Sequence, residues 1–218
     1  MWAKDLEEAR QLQMKWRGAV VAEGEPMGVR HVCGVDISHD RNSTRGFAAA
    51  VVMRAHNLEV VETVFHEGEL WFPYIPGYLS FREGPLIMEL LSTLKTGPDL
   101  FVFDGQGLAH PYRFGLACHM GVLLGKPSLG VAKKIFVGTH TKLGSRAGNR
   151  ANLVDAGEVV GQALRTRAGA SPVYVSPGHL ISVPAATEWA FRLSRGLRIP
   201  EPTRLAHVMV NEKRRGTA

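Results

Sequence analysis

Cysteine is almost missing from this chain. Only Cys33 and Cys118 occur among 218 residues, and their apolar neighbours, His-Val-Cys-Gly-Val and Leu-Ala-Cys-His-Met, predict a buried strand and a buried helix. A disulfide-stapled secreted fold is excluded, and a reducing compartment is implied. Also lacking is any apolar run near the roughly 20 residues of a membrane span, and no basic start leads into an apolar leader. The expectation is a cytoplasmic protein with no membrane association. The one glycine loop that follows a strand, Gly105-Gln106-Gly107, has no Gly-Lys-Ser/Thr after it and fits neither the P-loop nor the dinucleotide spacing, so a nucleotide cofactor is rejected. Internal repeats, low-complexity tracts and linkers are missing too. A chain of this length then reads as one domain over residues 1–218.

What is present is an ordinary globular composition, 45% apolar and 21% charged, with Lys and Arg exceeding Asp and Glu by 26 to 20 for a net charge of +6. That excess favours a polyanionic partner such as nucleic acid, although charge alone does not decide the class.

Along the chain, Trp2, Leu6, Ala9 and Trp16 mark one face of a first helix, with Asp5, Glu7 and Glu8 in its early turns. Apolar runs at 32–37, 47–53 and 59–65, joined by polar loops such as 39–45, predict an antiparallel meander. A Pro-, Gly- and aromatic-rich loop at 71–78 leads to a helix carrying Leu86, Ile87, Leu90, Leu91 and Leu94, ended by Gly97 and Pro98. The run 100–103 stops at Asp104. A second helix, opened by Pro111, reaches Gly125, and 128–131 is a further strand, a succession that predicts parallel pairing inside an α/β core. The stretch 138–157, with Lys142, Arg146 and Arg150, reads as an exposed connection. Runs at 159–166 and 173–175 read as a late hairpin, and a final helix with Ala186, Trp189, Ala190 and Leu193 precedes a basic tail ending Lys213-Arg214-Arg215.

Three acidic residues lie where apolar elements meet loops: Asp36 in the first strand, Glu83 at a helix start and Asp104 closing another strand. A carboxylate held rigidly at a core strand can share a hard divalent ion with a phosphate. The competing reading is that the aspartates only terminate strands by bonding loop amides. His110 before Pro111 either bonds a phosphate or leaving group or is a neutral structural histidine. Lys133 and Lys134 after a strand either flank the same site or form a solvated pair. Gly105 and Gly107 either let a ligand approach the backbone or supply a positive φ. Pro73-Tyr74-Ile75-Pro76 is a stiffened aromatic loop, fit to pry bases apart or to cap the core.

Taken in order, Val35-Asp36, Pro73-Tyr74-Ile75-Pro76-Gly77, Phe81-Arg82-Glu83, Phe103-Asp104-Gly105-Gln106-Gly107, His110-Pro111, Gly130-Val131-Ala132-Lys133, Pro177-Gly178-His179 and Pro200-Glu201-Pro202-Thr203-Arg204-Leu205-Ala206-His207 resemble the successive motifs of the endonuclease V family over nearly the whole chain. The resemblance implies an RNase H-like α/β fold, a mixed central sheet with helices on both faces. It also implies Mg²⁺-dependent hydrolysis, Mn²⁺ substituting, of the second phosphodiester bond 3′ to a deoxyinosine, leaving a 3′-hydroxyl and a 5′-phosphate. By the same resemblance Asp36, Asp104, Glu83 and His207 hold the metal, His110 and Lys133 assist hydrolysis, and Tyr74, with Pro73, Ile75 and Pro76, forms the wedge. Gly77, Leu79 and Gly105 line a pocket for the extruded hypoxanthine. One departure is Gln106, where many relatives carry histidine. The implied partner is DNA with deaminated bases. The rivals are a nuclease of the same fold acting on inosine-containing RNA or on branched or mismatched nucleic acid, and a non-catalytic binding module. No dimer interface is legible, and a monomer is the default.

Overall fold

A computed structural model describes residues 2–40 and 43–216. Its centre is one eight-stranded sheet in the order β3-β2-β1-β4-β5-β8-β7-β6. The meander is β1 (His31–His39), β2 (Arg45–Arg54) and β3 (Val60–Glu69), paired antiparallel. Of the loop 39–45 that joins the first two strands, Arg41 and Asn42 lie outside the described residues. β4 (Leu100–Phe103) pairs parallel with β1, and β5 (Ser128–Ala132) pairs parallel with β4. β8 (Val173–His179), β7 (Glu158–Leu164) and β6 (Arg150–Asp155) complete the sheet antiparallel.

Alternation along the strands sorts side chains into two cores. Cys33, Val35, Phe101 and Phe103 face α2 (Leu79–Ser92) and α3 (Leu116–Leu124). Val32, Leu100, Val102, Leu129 and Val131 face the opposite layer, built from α4 (Val183–Ser194) and α5 (Glu201–Arg215). The arrangement is the RNase H-like α/β fold, with helices on both faces of a mixed sheet. Among the described residues no helix is long and apolar enough to cross a membrane.

Several elements differ from the sequence-based expectation. The helix expected from Pro111 begins only at Leu116, because residues 111–115 form turns and Gly115 is the cap. The exposed connection 138–157 contains the edge strand β6, whose polar, half-exposed side chains hide the alternation. The basic tail is the last turn of α5 rather than an extension after a final helix. Pro200 and Pro202 frame the α5 N-terminus, where a missing N–H costs nothing. The first helix, α1 (Leu6–Trp16), is capped by Asp5, but it buries Ala9 and Gln13 while Leu6 stays 46% exposed. Glu83 lies a full turn inside α2, not at its start.

Candidate active site

The three parallel strands deliver their next residues to one edge of the sheet. Val35 is level with Phe103, and Phe103 with Gly130. Asp36 and Asp104 therefore follow neighbouring positions in register, on the same face by alternation. Lys133, just beyond β5, shares the parity of Val131 and forms an ion pair with Asp104.

Over this edge runs α5. It approaches β1 closely because Gly34 has no side chain: a Cβ there would lie 2.2 Å from the Pro202 carbonyl carbon and 2.3 Å from the Thr203 nitrogen. One and a half turns along that helix, His207 Nδ1 stands 2.7 Å from Asp36 Oδ2. One ligand atom each of Asp36, Asp104 and His207 falls within 4.8 Å of the others. Asn211, one turn further, donates to the His207 carbonyl at 2.8 Å. Its Oδ1 accepts from the Ser38 hydroxyl at 3.1 Å, tying the helix to β1.

Glu83 comes from the opposite layer, on α2. Burial, then the charges of Asp36 and Asp104, push its carboxyl up to about 8, with Arg82 pulling the other way. Burial and the charge of Asp104 likewise raise Asp36 above the usual carboxylate range, against the pull of His207 and Lys133. Both shifts describe crowded negative charge that a cation would relieve. Arg82 itself is buried and donates to the carbonyl of Phe72 at 2.6 Å, anchoring the aromatic loop on α2.

Gln106, two residues beyond Asp104, helps to line a cavity of about 160 Å³, walled also by Ile75, Pro76, Gly77, Leu79, Ser80, His110, Gly115, Leu116 and Phe136, with the exposed Tyr74 among its lining residues. That is close to the size of an apolar cavity able to hold a benzene ring. Tyr74 is 66% exposed. Gln106 donates from Nε2 to the Lys134 carbonyl at 3.1 Å, which fixes the orientation of its amide.

Not every expected residue joins these two groups. Gly105 is absent from the pocket wall, where its neighbour Gln106 takes the place. Gly107 has no positive φ. It is glycine because a Cβ would lie 2.1 Å from the Pro177 carbonyl oxygen, a packing demand of the protein itself. His110 is buried in the pocket wall and is not among the convergent ligand residues. Its Nε2 donates to the Gly77 carbonyl at 2.9 Å, and its Nδ1 accepts from the Tyr112 N–H at 3.2 Å. Burial pushes this imidazole down to about 4, so it is neutral with both nitrogens committed. Of the two readings of His110, the placement supports the structural one. Ser80, Gly115, Leu116 and Phe136 escaped the sequence reading, since apolar and small residues in a wall look like core.

The chain is similar to known proteins over nearly its whole length. A sequence profile described as Endonuclease V matches residues 13–208. An endonuclease V from Myxococcus xanthus is 46% identical over 215 residues, covering 98% of this chain and 92% of that protein. The crystal structure of the Streptomyces avermitilis enzyme superposes with a TM-score of 0.93 at 42% identity, covering 100% of this chain and 96% of the other. A Ciona intestinalis endonuclease V variant, solved with a 23mer DNA containing an inosine followed by a ribo-adenosine, matches with a TM-score of 0.85 at 26% identity, covering 97% of this chain and 98% of the other.

Proposed function

Because the chain belongs to the endonuclease V family, we propose that it nicks DNA beside deaminated purines, hydrolysing the second phosphodiester bond 3′ to a deoxyinosine. The observation that carries this reading is the meeting of Asp36, Asp104 and His207 at one point, in a chain whose Gln106, two residues beyond Asp104, lines a ring-sized apolar pocket. Two carboxylate oxygens and an imidazole nitrogen form a donor set that fits a divalent ion. We assign Mg²⁺, with Mn²⁺ as substitute, to Asp36, Asp104 and His207, with Glu83 completing the acidic group. When bound, the ion supplies Lewis acidity and an activated water.

The residues of the chain do the rest. In the net reaction the water oxygen ends on phosphorus, the P–O3′ bond breaks and the 3′ oxygen takes up a proton. Lys133, held on Asp104, presents an ammonium where negative charge grows on the phosphate. Tyr74, exposed and flanked by Pro73, Ile75 and Pro76, enters the base stack as a wedge at small entropic cost. Unstacking costs least at a mismatched or damaged base, so extrusion itself selects the lesion. Gly77, Leu79 and Gln106 then wall the pocket that takes the hypoxanthine, and His110 holds that wall in shape.

The ribo-adenosine beside the inosine in the Ciona complex favours a second reading, in which inosine-containing RNA is also cut. Inosine-containing DNA and RNA strands with adenine controls, incubated in Mg²⁺ and in EDTA, separate the two. The expected product is one nick, one nucleotide beyond inosine in DNA, present only with Mg²⁺. Cleavage of the inosine-containing RNA as well as the DNA would select the second reading, and equal cleavage of the adenine controls would contradict both.

A further inference from the structure

α1 buries two residues, Ala9 and Gln13, one turn apart on the same face. An apolar residue would fill the second position more cheaply, yet Gln13 is fully buried and its Oε1 has no hydrogen-bond partner among the described residues. Leaving a buried acceptor unpaired costs stability, so the residue is explained by what its amide donates. Its Nε2 lies 2.7 Å from the Gly77 carbonyl oxygen and 3.4 Å from that of Phe114. The same Gly77 oxygen accepts the His110 Nε2–H at 2.9 Å.

Gly77 sits at a decisive point of the chain. The Tyr78 N–H donates to the Ile75 carbonyl at 2.9 Å, closing a turn with Pro76 second and Gly77 third. Gly77 has φ +89, the left-handed region that the third residue of a type II turn requires. Two residues ahead of the turn's proline is the exposed Tyr74, and two residues after Gly77 begins α2, which carries Glu83. A carbonyl oxygen has two lone pairs, and here both are taken. The Gly77–Tyr78 peptide plane is thereby fixed, and with it the direction in which the chain passes from wedge to pocket to helix.

We propose that Gln13 is a positioning residue for lesion recognition, gripping the Gly77 carbonyl together with His110 so that wedge and pocket wall keep one fixed relation. The inference rests on the base-extrusion reading above and adds to it a residue from α1, an element that supplies none of the grouped metal ligands. It separates from a mere packing role because the two roles respond oppositely to one substitution. Gln13→Met keeps the length of the side chain, removes the unpaired acceptor and leaves Gly77 bonded to His110. Thermal stability should therefore stay level or rise.

The test compares parent and Gln13→Met by three measurements: melting temperature, amide hydrogen exchange in residues 74–79, and the ratio of affinities for inosine-containing and adenine-containing duplexes in EDTA. The expected result is an unlowered melting temperature, exchange of the Tyr78 amide faster by about tenfold, the scale of one hydrogen bond, and a ratio reduced by a similar factor. Unchanged exchange and an unchanged ratio would overturn the proposal, as would a fall in melting temperature with exchange accelerated evenly over the whole chain. If the parent showed no preference for inosine while the local exchange effect persisted, base recognition would be the reading that failed and the grip on the turn would stand.

Discussion

At the scale of single residues, the site is an accumulation of negative charge that the protein tolerates in order to use. Glu83 shows the consequence. In the unfolded chain its carboxyl ionises near 4.5, whereas burial beside Asp36 and Asp104 holds the proton up to about 8 in the folded chain. Between those values the unfolded state has lost the proton and the folded state has kept it, so with metal chelated, stability falls as pH rises and levels off above about 8. Glu83→Gln lacks this loss. Melting curves in EDTA should show the variant above the parent at pH 8 and the two converging toward pH 4.5, and a parent that gains on the variant over that range would refute the charge crowding. The aspartates were legible in the sequence because an acid closing an apolar strand stands out. Gln13 was not, since a glutamine on a charged helix reads as a solvent-facing residue until its neighbours are known. His110 was legible only as a residue with two readings, and its two backbone partners, which favour the structural one, could not be read from the sequence.

At the scale of elements, what makes the site is the closeness of α5 to β1. Gly34→Ala would drive a Cβ into the backbone of Pro202 and Thr203, and backbone cannot move aside as a flexible side chain can. The helix must shift, and His207 with it. The expected cost is about 1–3 kcal/mol of stability, together with a fall of more than about tenfold in divalent-ion affinity, both readable by titration calorimetry and thermal melts. Gly97→Ala, where a Cβ meets nothing within 4 Å among the described residues, is the control that should change neither. Equal ion affinity in Gly34→Ala and the parent would show that His207 is not placed by this contact. The sheet centre and α2 could be read from apolar periodicity. α5 could not, because Pro200, Glu201 and Pro202 resemble a loop and the helix buries only a narrow stripe, Pro202, Thr203, Ala206 and Val210. β6 was lost for a related reason: an edge strand has one solvated side and little alternation to detect.

At the scale of the whole molecule, the net charge of +6 and the exposed Tyr74 act in different ways on the same ligand. Charge recruits the backbone of any nucleic acid, and its contribution fades with salt as counterions compete. The proposed wedge would act on the base stack, a contact that salt does not screen. Affinity for an inosine-containing duplex, measured in EDTA across a salt series, should fall log-linearly with a slope of about −3.6 or steeper, the value for some four phosphate contacts. Tyr74→Ala should displace the line toward weaker binding, by about 1–3 kcal/mol for a lost aromatic–base contact, without altering the slope. A Tyr74→Ala line that coincided with the parent's would remove the wedge from the account.

The central claim is that acids from two strands and an imidazole from a distant helix hold one divalent ion at the sheet edge. Anomalous diffraction from crystals grown in Mn²⁺ tests it most directly. The account predicts a peak in coordinating contact with the carboxylates of Asp36 and Asp104, with His207 turned toward it. Strong Mn²⁺ peaks elsewhere in the same crystals, with none between those two carboxylates, would contradict it.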